Sequence, residues 1–332
     1  MLRCIIVFIH LVMETRPIFK IVGVGGGASI AVDYMYGEYG KNVSYALIDT
    51  SRFIISNAKV PVKLLISPDN RAVVRSDRAN SLASQHVAEI GSLFDDGTEV
   101  AFIIAGMGGI TGTGAAPTVA RISKERNIIT IGIVTTPFKC EGEKKLAVAR
   151  KGIEEMARNV DSLIVIDDES LNEGDMERTV LGSFDKSNEA MKSVINDILA
   201  ICSAKAITCI DFMDVVFAFR NGGHAVVVSG EGTGPNRVID AIENARKTPL
   251  ASGYDFASAK RLIIMLYAPG DSGQSFQLKE VELLAEYLSA FPEDMDIIWG
   301  LAVDENLKDG MRVTLIASSL PSPYGPGEVI AE

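Results

Sequence analysis

The feature that most constrains the fold of this chain is an apolar run that ends directly in a glycine-rich segment. The run is "VAFII", and the segment after it, "AGMGGITGTGAAP" (Ala105 to Pro117), holds five glycines and two threonines. This order is typical of a buried β-strand followed by a tight loop and a helix. One or two glycines suffice for such a turn, so the additional ones indicate a backbone that approaches a ligand closely.

The same order of elements recurs through the first half of the chain. "FKIVGV", which begins at Phe19, precedes "GGGAS", and the apolar runs "SYALID", "IITIGIV" and "SLIVID" alternate with segments of helical periodicity. Short apolar strands that alternate with helices predict a parallel sheet covered on both faces. Ligands of such sheets bind at the carboxyl ends of the strands, where both glycine loops are predicted to lie.

The second half of the chain predicts a different sheet. A long central helix is predicted over residues 186–208, and strands and helices follow it. Two of these strands, "DIIWGLAVD" and "RVTLIAS", are separated by little more than "ENLKDG", which predicts a hairpin and a partly antiparallel sheet. The predicted fold class is α/β, with a parallel-sheet, Rossmann-like nucleotide-binding domain, a long central helix and a second, smaller α/β domain with a mixed sheet.

Composition excludes several classes of function. The net charge is −11, and no run of Lys or Arg exceeds a pair, which argues against a nucleic-acid surface. The four cysteines show neither CxxC nor zinc spacing, so they predict reduced, buried thiols of a cytosolic protein. The three histidines lie far apart in sequence, and no metal-ligand set is predicted.

The first 16 residues are not predicted to be part of the fold. Their apolar run is too short to span a bilayer, and no small-residue cleavage site follows it. We expect an unstructured or misassigned leader, with a secretion signal as the alternative. No other segment of the sequence suits a membrane.

The second glycine loop has the composition of a phosphate site. Backbone amides with no side chain in front of them can surround phosphate oxygens, and the N-terminus of the following helix adds its dipole. The residues predicted to form this site are Gly106, Gly108, Gly109, Thr111, Gly112, Thr113 and Gly114. It is not a Walker A loop, because no lysine follows the last glycine.

The first glycine loop supports a rival interpretation. Gly23, Gly25 and Ala28 match G-x-G-x-x-A after a strand, and Asp49 ends the next strand about 20 residues further on, as in a dinucleotide site. This predicts an NAD-dependent oxidoreductase. It leaves the richer second loop unexplained, and no catalytic histidine or Tyr-Lys pair accompanies it.

Both loops together resemble the tubulin/FtsZ family. "GGITGTGAAP" is similar to the signature loop of that family, and "VGVGGG", "TTPFKCEGEKK", "CIDFMDV", "GEGTGPNRVIDAIENARKTPL" and "IIWGLAVDENL" follow at its places and in its order. The resemblance runs from about Phe19 to Ser319. It implies a GTP-binding domain at 17–185, a central helix at 186–208, a C-terminal α/β domain at 209–320 and a short tail at 321–332.

The resemblance also implies an activity. Family members of bacterial cytoplasm bind GTP or GDP, with Mg²⁺ accompanying the nucleotide, and stack head to tail into filaments during cell division. Hydrolysis is completed at the subunit interface. Asp211 and Asp214, three residues apart on one helical face, are the carboxylates that would orient water beside the γ-phosphate of the next subunit. Taken alone, such a pair is more often a solvated face or a helix cap.

The nucleotide contacts carried over from the family fall on both glycine loops and on later segments. Glu141 is placed at the ribose, Lys145 near the phosphates and Phe184 against the base. The full set is Gly23, Gly25, Gly26, Gly27, Gly108, Gly109, Thr111, Gly112, Thr113, Gly114, Pro137, Glu141, Lys145, Asp168, Phe184 and Asn188.

The departures from the family pattern gather around the nucleotide. Ile30 replaces an asparagine that reaches the base, and an isoleucine cannot donate a hydrogen bond. The others are Ala28, Ser29, Asp49, Ser51, Ile110, Cys209 and the segment "NRAVVRS", in which Arg71 and Arg75 stand in place of a glycine loop. Where the family has an amide on a loop and an acid early in the central helix, this chain has Asp168 and Asn188. Two explanations remain open: the two residues have exchanged their roles at the base, or the site has drifted after the loss of nucleotide binding.

Three hypotheses follow. The chain is a self-assembling GTPase, or a divergent paralogue with weak or no nucleotide binding that acts as an assembly or regulatory partner of another FtsZ, or, remotely, an oxidoreductase. The partner is another copy or another FtsZ, with no nucleic acid and no direct membrane contact. The sequence stops at "LPSPYGPGEVIAE", so a tail for membrane-tethering partners is not evident.

Overall fold

The computed structural model describes residues 17–67, 73–173, 179–203, 206–208, 210–270 and 275–323. The predicted leader, Arg71, Cys209 and most of the predicted tail lie outside this part of the chain. The chain divides into two compact units, the first comprising Met1–Glu169 and Arg178–Asn188 and the second Ser170–Glu177 and Glu189–Glu332. The predicted domain limits remain predictions.

The first unit contains a sheet of six parallel strands. Its strands are β1 (Phe19–Val24), β2 (Val43–Asp49), β3 (Lys63–Leu65), β4 (Val100–Gly106), β5 (Ile129–Thr135) and β6 (Ser162–Ile166). Their order in space is β3-β2-β1-β4-β5-β6, and every neighbouring pair is parallel. Its helices are α1 (Gly26–Met35), α2 (Arg52–Asn57), α3 (Ser76–Gln85), α4 (Val87–Ser92), α5 (Ile110–Lys124) and α6 (Glu143–Asn159).

Helices cover this sheet closely, as its apolar strands require. Every residue of β1 is buried, and all but the last of β4, because strands covered on both faces carry continuous apolar runs. Gly23 allows the close approach of α1: a Cβ there would lie 2.9 Å from Leu47 Cδ2 and 2.9 Å from Val32 Cγ2. Gly23 therefore serves the packing of α1 on β1, whereas the later glycines of its loop reach the edge of the sheet.

The chain continues through helices α7 (Asp168–Leu171) and α8 (Val180–Ser203). The predicted central helix at 186–208 is wrong at both ends. It starts earlier because Thr179 caps it, with Thr179 Oγ1 accepting from the backbone N–H of Gly182 at 3.1 Å. It ends at Ser203, and Ala206–Thr208 forms strand β7, for which Ile207 and Thr208 have the β-branched side chains that strands favour.

The second unit contains a mixed five-stranded sheet. Besides β7, its strands are β8 (Gly223–Gly232), β9 (Arg261–Ala268), β10 (Asp296–Val303) and β11 (Met311–Leu320), in the order β8-β11-β9-β10-β7. Its helices are α9 (Phe212–Phe219), α10 (Arg237–Arg246) and α11 (Leu278–Leu288). The β9–β10 pair is parallel, and the β8–β11, β9–β11 and β7–β10 pairs are antiparallel. The predicted fold class is confirmed.

The hairpin predicted between β10 and β11 is wrong. β9 lies between them and pairs with β10 on one side and with β11 on the other. The connection through α11 makes β9 and β10 parallel neighbours, and β7 occupies the other edge of β10, so β11 pairs with the far edge of β9. A short linker shows only that two strands are close in sequence.

The cysteines differ in part from the prediction. Cys140 and Cys202 are free thiols, but Cys140 is exposed, not buried. It lies in the short turn Lys139–Glu141, none of whose residues is buried.

Among the described residues, no helix combines the length and the apolar character that crossing a membrane requires.

Candidate functional site

The two glycine loops touch at the carboxyl edge of the parallel sheet. Gly25 follows β1 with φ 90°, and Gly108 follows β4 with φ 85°, a backbone region that side chains rarely adopt. A Cβ on Gly25 would lie 2.9 Å from the backbone N of Gly112. Thr50, after β2, joins the same contact, since Thr50 Oγ1 lies 2.7 Å from Thr111 Oγ1.

We call Gly25–Gly27 with Gly108–Gly112 the glycine cradle. The second part of the cradle leads into α5, a helix of 15 residues whose N-cap, Gly109, offers no side chain to its first N–H groups. Thr113 Oγ1 accepts from the N–H of Gly108 at 2.9 Å and holds the turn closed. Gly27 is exposed, and a Cβ on it would meet nothing within 4 Å. The cradle thus presents the N-termini of α1 and α5, and the open space beside Gly27, to a ligand.

Gly114 has a different role from the rest of its loop. A Cβ on Gly114 would lie 2.0 Å from the backbone O of Ser76, the first residue of α3. Gly114 is buried. Its lack of a side chain therefore lets α3 pack on α5.

Pro137 and Lys145 lie against the glycine cradle. A Cβ on Gly108 would lie 3.2 Å from Pro137 Cγ and 3.0 Å from Lys145 Cγ. The ammonium of Lys145 pairs with Glu141, whose other carboxylate oxygen accepts from the N–H of Phe138 at 3.0 Å. The lysine is thereby held beside the second loop. The i,i+4 spacing of Glu141 and Lys145 was the sequence signal for this ion pair.

A second group of predicted residues lies at the end of β6 and the start of α8. Asp168 is 5% exposed, and its Oδ1 accepts from Ser187 Oγ at 2.7 Å. Asn188 is buried, whereas the Phe184 ring is 48% exposed and packs edge-on against Phe138 at 5.9 Å. The Asp168–Ser187 bond was not predicted, because nothing in the sequence pairs residues at that separation.

Burial raises the pKa of Asp168 to about 7. The hydrogen bond from Ser187 acts in the opposite direction, and the negative charges of Asp167 and Glu141 add to the increase. A carboxyl group whose pKa lies near neutrality at the ligand edge of a parallel sheet marks a candidate functional group.

Asp49 does not fit the role that a dinucleotide site would give it. Its Oδ1 accepts from the N–H of Ser51 at 2.7 Å, and its Oδ2 is buried with no partner in the described part of the chain. Burial raises its pKa. The carboxylate of Asp49 is 2% exposed and is already engaged in the turn after β2, so it has a structural role there.

Two isoleucines lie near the N-termini of the helices that bear the cradle. Ile30 on α1 is 63% exposed, and Ile110, the first residue of α5, is 40% exposed. Ser29, which stands in place of a family glycine, is buried, and its Oγ has no partner among the described residues. The departures therefore leave the cradle backbone intact and change the side chains around it.

The two predicted catalytic carboxylates lie in the second unit and cap α9. Asp211 Oδ1 accepts from the N–H groups of Met213 at 2.7 Å and Asp214 at 3.2 Å, and Asp214 Oδ2 accepts from the N–H of Asp211 at 2.9 Å. This reciprocal capping box explains their spacing structurally. Asp211 is exposed and Asp214 half-buried. The described residues contain no group of three or more His, Cys, Asp or Glu that could hold a metal ion.

The parallel sheet, the closely approaching glycine loops and the helix N-terminus at its carboxyl edge are typical of nucleotide-binding α/β proteins. Comparison with known families is more specific. The Tubulin/FtsZ family, GTPase domain, matches residues 18–174, and the FtsZ family, C-terminal domain, matches residues 223–321. The chain belongs to the Tubulin/FtsZ family, which confirms the predicted resemblance.

Individual relatives agree with this membership. The cell division protein FtsZ of Porphyromonas gingivalis is 34% identical over 306 residues, 91% of this chain and 66% of that protein. The chain thus spans about two thirds of that relative. FtsZ of Buchnera aphidicola subsp. Acyrthosiphon pisum is 31% identical over 313 residues, 93% of this chain and 80% of that protein.

Solved structures show the same fold. A structure titled "FtsZ dimer, empty" from M. jannaschii matches with a TM-score of 0.79 and 26% identity, covering 98% of both chains. CetZ2 of Haloferax volcanii, titled as a GTPγS-bound protofilament, matches with a TM-score of 0.74 over 91% of this chain and 93% of that one. It is 17% identical, so it supports the fold alone.

Proposed function

We propose that this chain binds GTP and GDP, with Mg²⁺ accompanying the nucleotide, and assembles head to tail into filaments in the bacterial cytoplasm. Hydrolysis is completed between subunits, where Asp211 and Asp214 of one copy meet the γ-phosphate held by the next. The observation that carries the proposal is the glycine cradle, in which the backbones of Gly25 and Gly112 approach so closely that a Cβ on Gly25 would lie 2.9 Å from Gly112 N. A strand-to-helix turn alone does not require two glycine loops to meet.

The cradle fits phosphates because its backbone is bare and open. Gly27 leaves space above the first loop, and the N-terminus of α5 favours negative charge. Lys145 lies beside Gly108 and supplies a cation next to the second loop. The phosphate contacts in this proposal are Gly25, Gly26, Gly27, Gly108, Gly109, Thr111, Gly112, Thr113 and Lys145. Gly23 and Gly114 act by packing, and Glu141 and Pro137 act through Lys145 and Gly108.

The base end fits an aromatic heterocycle. The half-exposed ring of Phe184 offers a stacking face, Asn188 follows it by four residues on α8, and Asp168 accepts from Ser187 of the same helix. A planar base with polar edges suits this combination.

The capping box is compatible with catalysis as well as with structure. Asp211 uses Oδ1 and Asp214 uses Oδ2 to cap α9, so each carboxylate keeps one oxygen outside the reciprocal bonds. Such an oxygen can orient and polarise a water molecule for attack on the γ-phosphate. The helix end would hold the two groups in a fixed geometry.

Two exposed apolar side chains support an interface beside these carboxylates. Met213 is 63% exposed and Phe217 43% exposed, four residues apart on one face of α9. The assembly of the M. jannaschii FtsZ structure as a dimer makes a second copy of this chain the proposed occupant.

The second candidate function is that of a divergent paralogue that binds nucleotide weakly and regulates another FtsZ. The exposed Ile30 and Ile110 favour it, because apolar side chains near the helix N-termini offer no hydrogen bond to a nucleotide. Each lost hydrogen bond to a charged group costs about 1.5–3 kcal/mol.

Calorimetric titration of the nucleotide-stripped protein with GTP, GDP, ATP and NAD in the presence of Mg²⁺ separates the two. Micromolar GTP binding, with phosphate release that rises steeply with protein concentration, supports the filament-forming GTPase. Asp211→Asn and Asp214→Asn keep side chains that can cap α9, so they should abolish hydrolysis and retain GTP binding. If none of the four nucleotides binds, the divergent paralogue is the remaining candidate function.

A further inference from the structure

Exposed apolar side chains surround the glycine cradle. Ile30 lies near the N-terminus of α1, Phe53 is the second residue of α2, Val74 precedes α3, and Ile110 is the first residue of α5. All four side chains are between 40% and 75% exposed. Because helices that follow parallel strands begin at the carboxyl edge of the sheet, the four lie at the edge that bears the cradle. We call these four side chains the apolar rim.

The helices that carry the outer rim residues pack against the two cradle helices. A Cβ on Gly26 would lie 3.6 Å from Cδ1 of Ile54, the residue after Phe53. The backbone O of Ser76, the first residue of α3, would lie 2.0 Å from a Cβ on Gly114 of α5. The other two rim residues belong to the cradle helices themselves. The rim is therefore grouped around one site, unlike the single exposed apolar residues that are common on protein surfaces.

The rim suits a protein surface better than a nucleotide. Its side chains offer no hydrogen bond to a phosphate, a ribose or the edge of a base. They gain instead by being removed from water against other apolar groups. An apolar patch beside polar groups, here the backbone N–H groups of the cradle, is typical of protein–protein interfaces.

Helix α9 carries a surface that complements the rim. Met213 and Phe217 form its exposed apolar face, and Asp211 and Asp214 place two carboxylates at its N-terminus. The cradle presents the N-termini of α1 and α5, which favour negative charge. The two surfaces thus match in apolar character and in charge. They are different surfaces of one chain, so a contact between them is heterologous and continues into a filament or a ring.

We propose that the apolar rim holds α9 of a second copy of this chain without any nucleotide, so that burial of apolar surface drives association and GTP acts at an interface that already exists. This role of the rim rests on the proposed function, which pairs the two surfaces, and deepens it by naming the force that joins them. It also gives a purpose to Ile30 and Ile110, whose side chains weaken the polar contacts of a nucleotide.

Sedimentation velocity of the nucleotide-stripped protein over a wide range of protein concentrations tests the proposal. The protein is first shown by absorbance to hold no nucleotide, and Mg²⁺ is removed with EDTA. Oligomers that grow with protein concentration are expected under these conditions, and ammonium sulfate should strengthen them, because excluded salts favour apolar burial. Addition of GTP with Mg²⁺ should change the concentration of half-association by less than about tenfold.

Single substitutions test whether the rim carries the contact. Ile30→Gln, Phe53→Gln and, on the opposite surface, Met213→Gln should each weaken nucleotide-free association by about 10- to 100-fold, because each removes one large apolar side chain from the interface. Glutamine is a good helix former, so the three helices should persist, which thermal unfolding checks. Val87→Gln is the matched control and should associate as the wild type does. Val87 is also exposed, but it begins α4 beyond the far end of α3, about 15 Å from the carboxyl edge.

A mixture of two variants tests which surfaces meet. Phe53→Gln keeps an intact α9, and Met213→Gln keeps an intact rim. Each alone should stay largely monomeric, whereas an equimolar mixture should form dimers that grow no further. Failure of the mixture to associate would show that the rim and α9 do not bind each other.

The remaining outcomes separate the role of the rim from the proposed function. If the stripped protein is monomeric and assembles only with GTP, the rim does not drive association and the proposed function stands. Nucleotide-free association that the rim variants leave unchanged, or that Val87→Gln weakens equally, also overturns the role of the rim. Nucleotide-free association through the rim in a protein that binds no GTP would support that role while the proposed GTPase fails.

Discussion

Gly27 provides the sharpest test of the glycine cradle, because one substitution should change stability and ligand affinity in opposite directions. Gly27 is the second residue of α1, and a Cβ on it would meet no protein atom within 4 Å. Gly27→Ala therefore adds a methyl group without a clash. If the open space holds a phosphate oxygen, the methyl group competes with the ligand.

The magnitudes follow from helix propensity and from one lost hydrogen bond. Alanine in a helix is more stable than glycine by about 0.5–1 kcal/mol, chiefly because the unfolded chain loses conformational freedom. Displacement of one charge-assisted hydrogen bond costs about 1.5–3 kcal/mol, or a 10- to 100-fold weaker GTP affinity. The free energy of unfolding of the nucleotide-free variant should rise while its GTP affinity falls.

Gly25→Ala is the matched control two residues away. Gly25 has φ 90° and ψ 167°, a region that is essentially confined to glycine. Its Cβ would also lie 2.9 Å from a backbone atom, Gly112 N, which cannot move aside as a side-chain tip can. We expect a loss of at least about 2 kcal/mol in stability, together with loss of GTP binding.

Urea denaturation followed by far-UV circular dichroism, with hydrogen exchange of the amides of α1, measures the stability of both variants. Calorimetric titration with GTP measures affinity. The reasoning is refuted if Gly27→Ala is more stable and binds GTP as the wild type does, because the open space would then lie outside the phosphate site. It is also refuted if Gly25→Ala is as stable as the wild type.

Periodicity predicted the parallel sheet because local sequence decides it. Strands buried on both faces, such as β1 and β4, must be apolar throughout, and the glycines after them mark where the backbone turns. Strand order in the second sheet was not predictable, since β9 separates β10 from β11 through pairings that the linker does not record. The bond between Asp168 and Ser187 was likewise beyond the sequence, because it depends on how β6 and α8 meet.

Three further predictions concern charged groups. Burial alone would raise the pKa of Asp96, but hydrogen bonds from Lys20, Thr98 and Ser44 hold that pKa below its usual value. The free energy of unfolding should therefore fall as the pH drops below about 4, and Asp96→Asn should make this fall less steep in urea titrations. Arg237→Met should cost about 3–5 kcal/mol by leaving the buried Glu280 unpaired, whereas Arg237→Met with Glu280→Met should recover most of it in the same assay. Asp211→Ala should cost about 0.5–2 kcal/mol through loss of the α9 cap, a loss that Asp211→Asn should avoid in thermal unfolding.

The distribution of departures from the family pattern has a physical logic. Phosphates are held mainly by backbone N–H groups, which every residue type supplies, so changes such as Ile110 leave that end of the site largely intact as long as the turns keep their glycines. The base is read by side chains, and each substitution there removes or creates a specific donor or acceptor. Selection for a different base partner or for weaker binding would therefore act on Asp168 and Asn188 first, while the cradle contact of Gly25 with Gly112 persists because the packing of both loops requires it.

A chain that had lost nucleotide binding altogether would still need Gly25 and Gly23 for its fold but would have no such need of the open glycine at position 27. The presence of glycine at position 27, in a helix that alanine would stabilise, thus favours a ligand above the first loop.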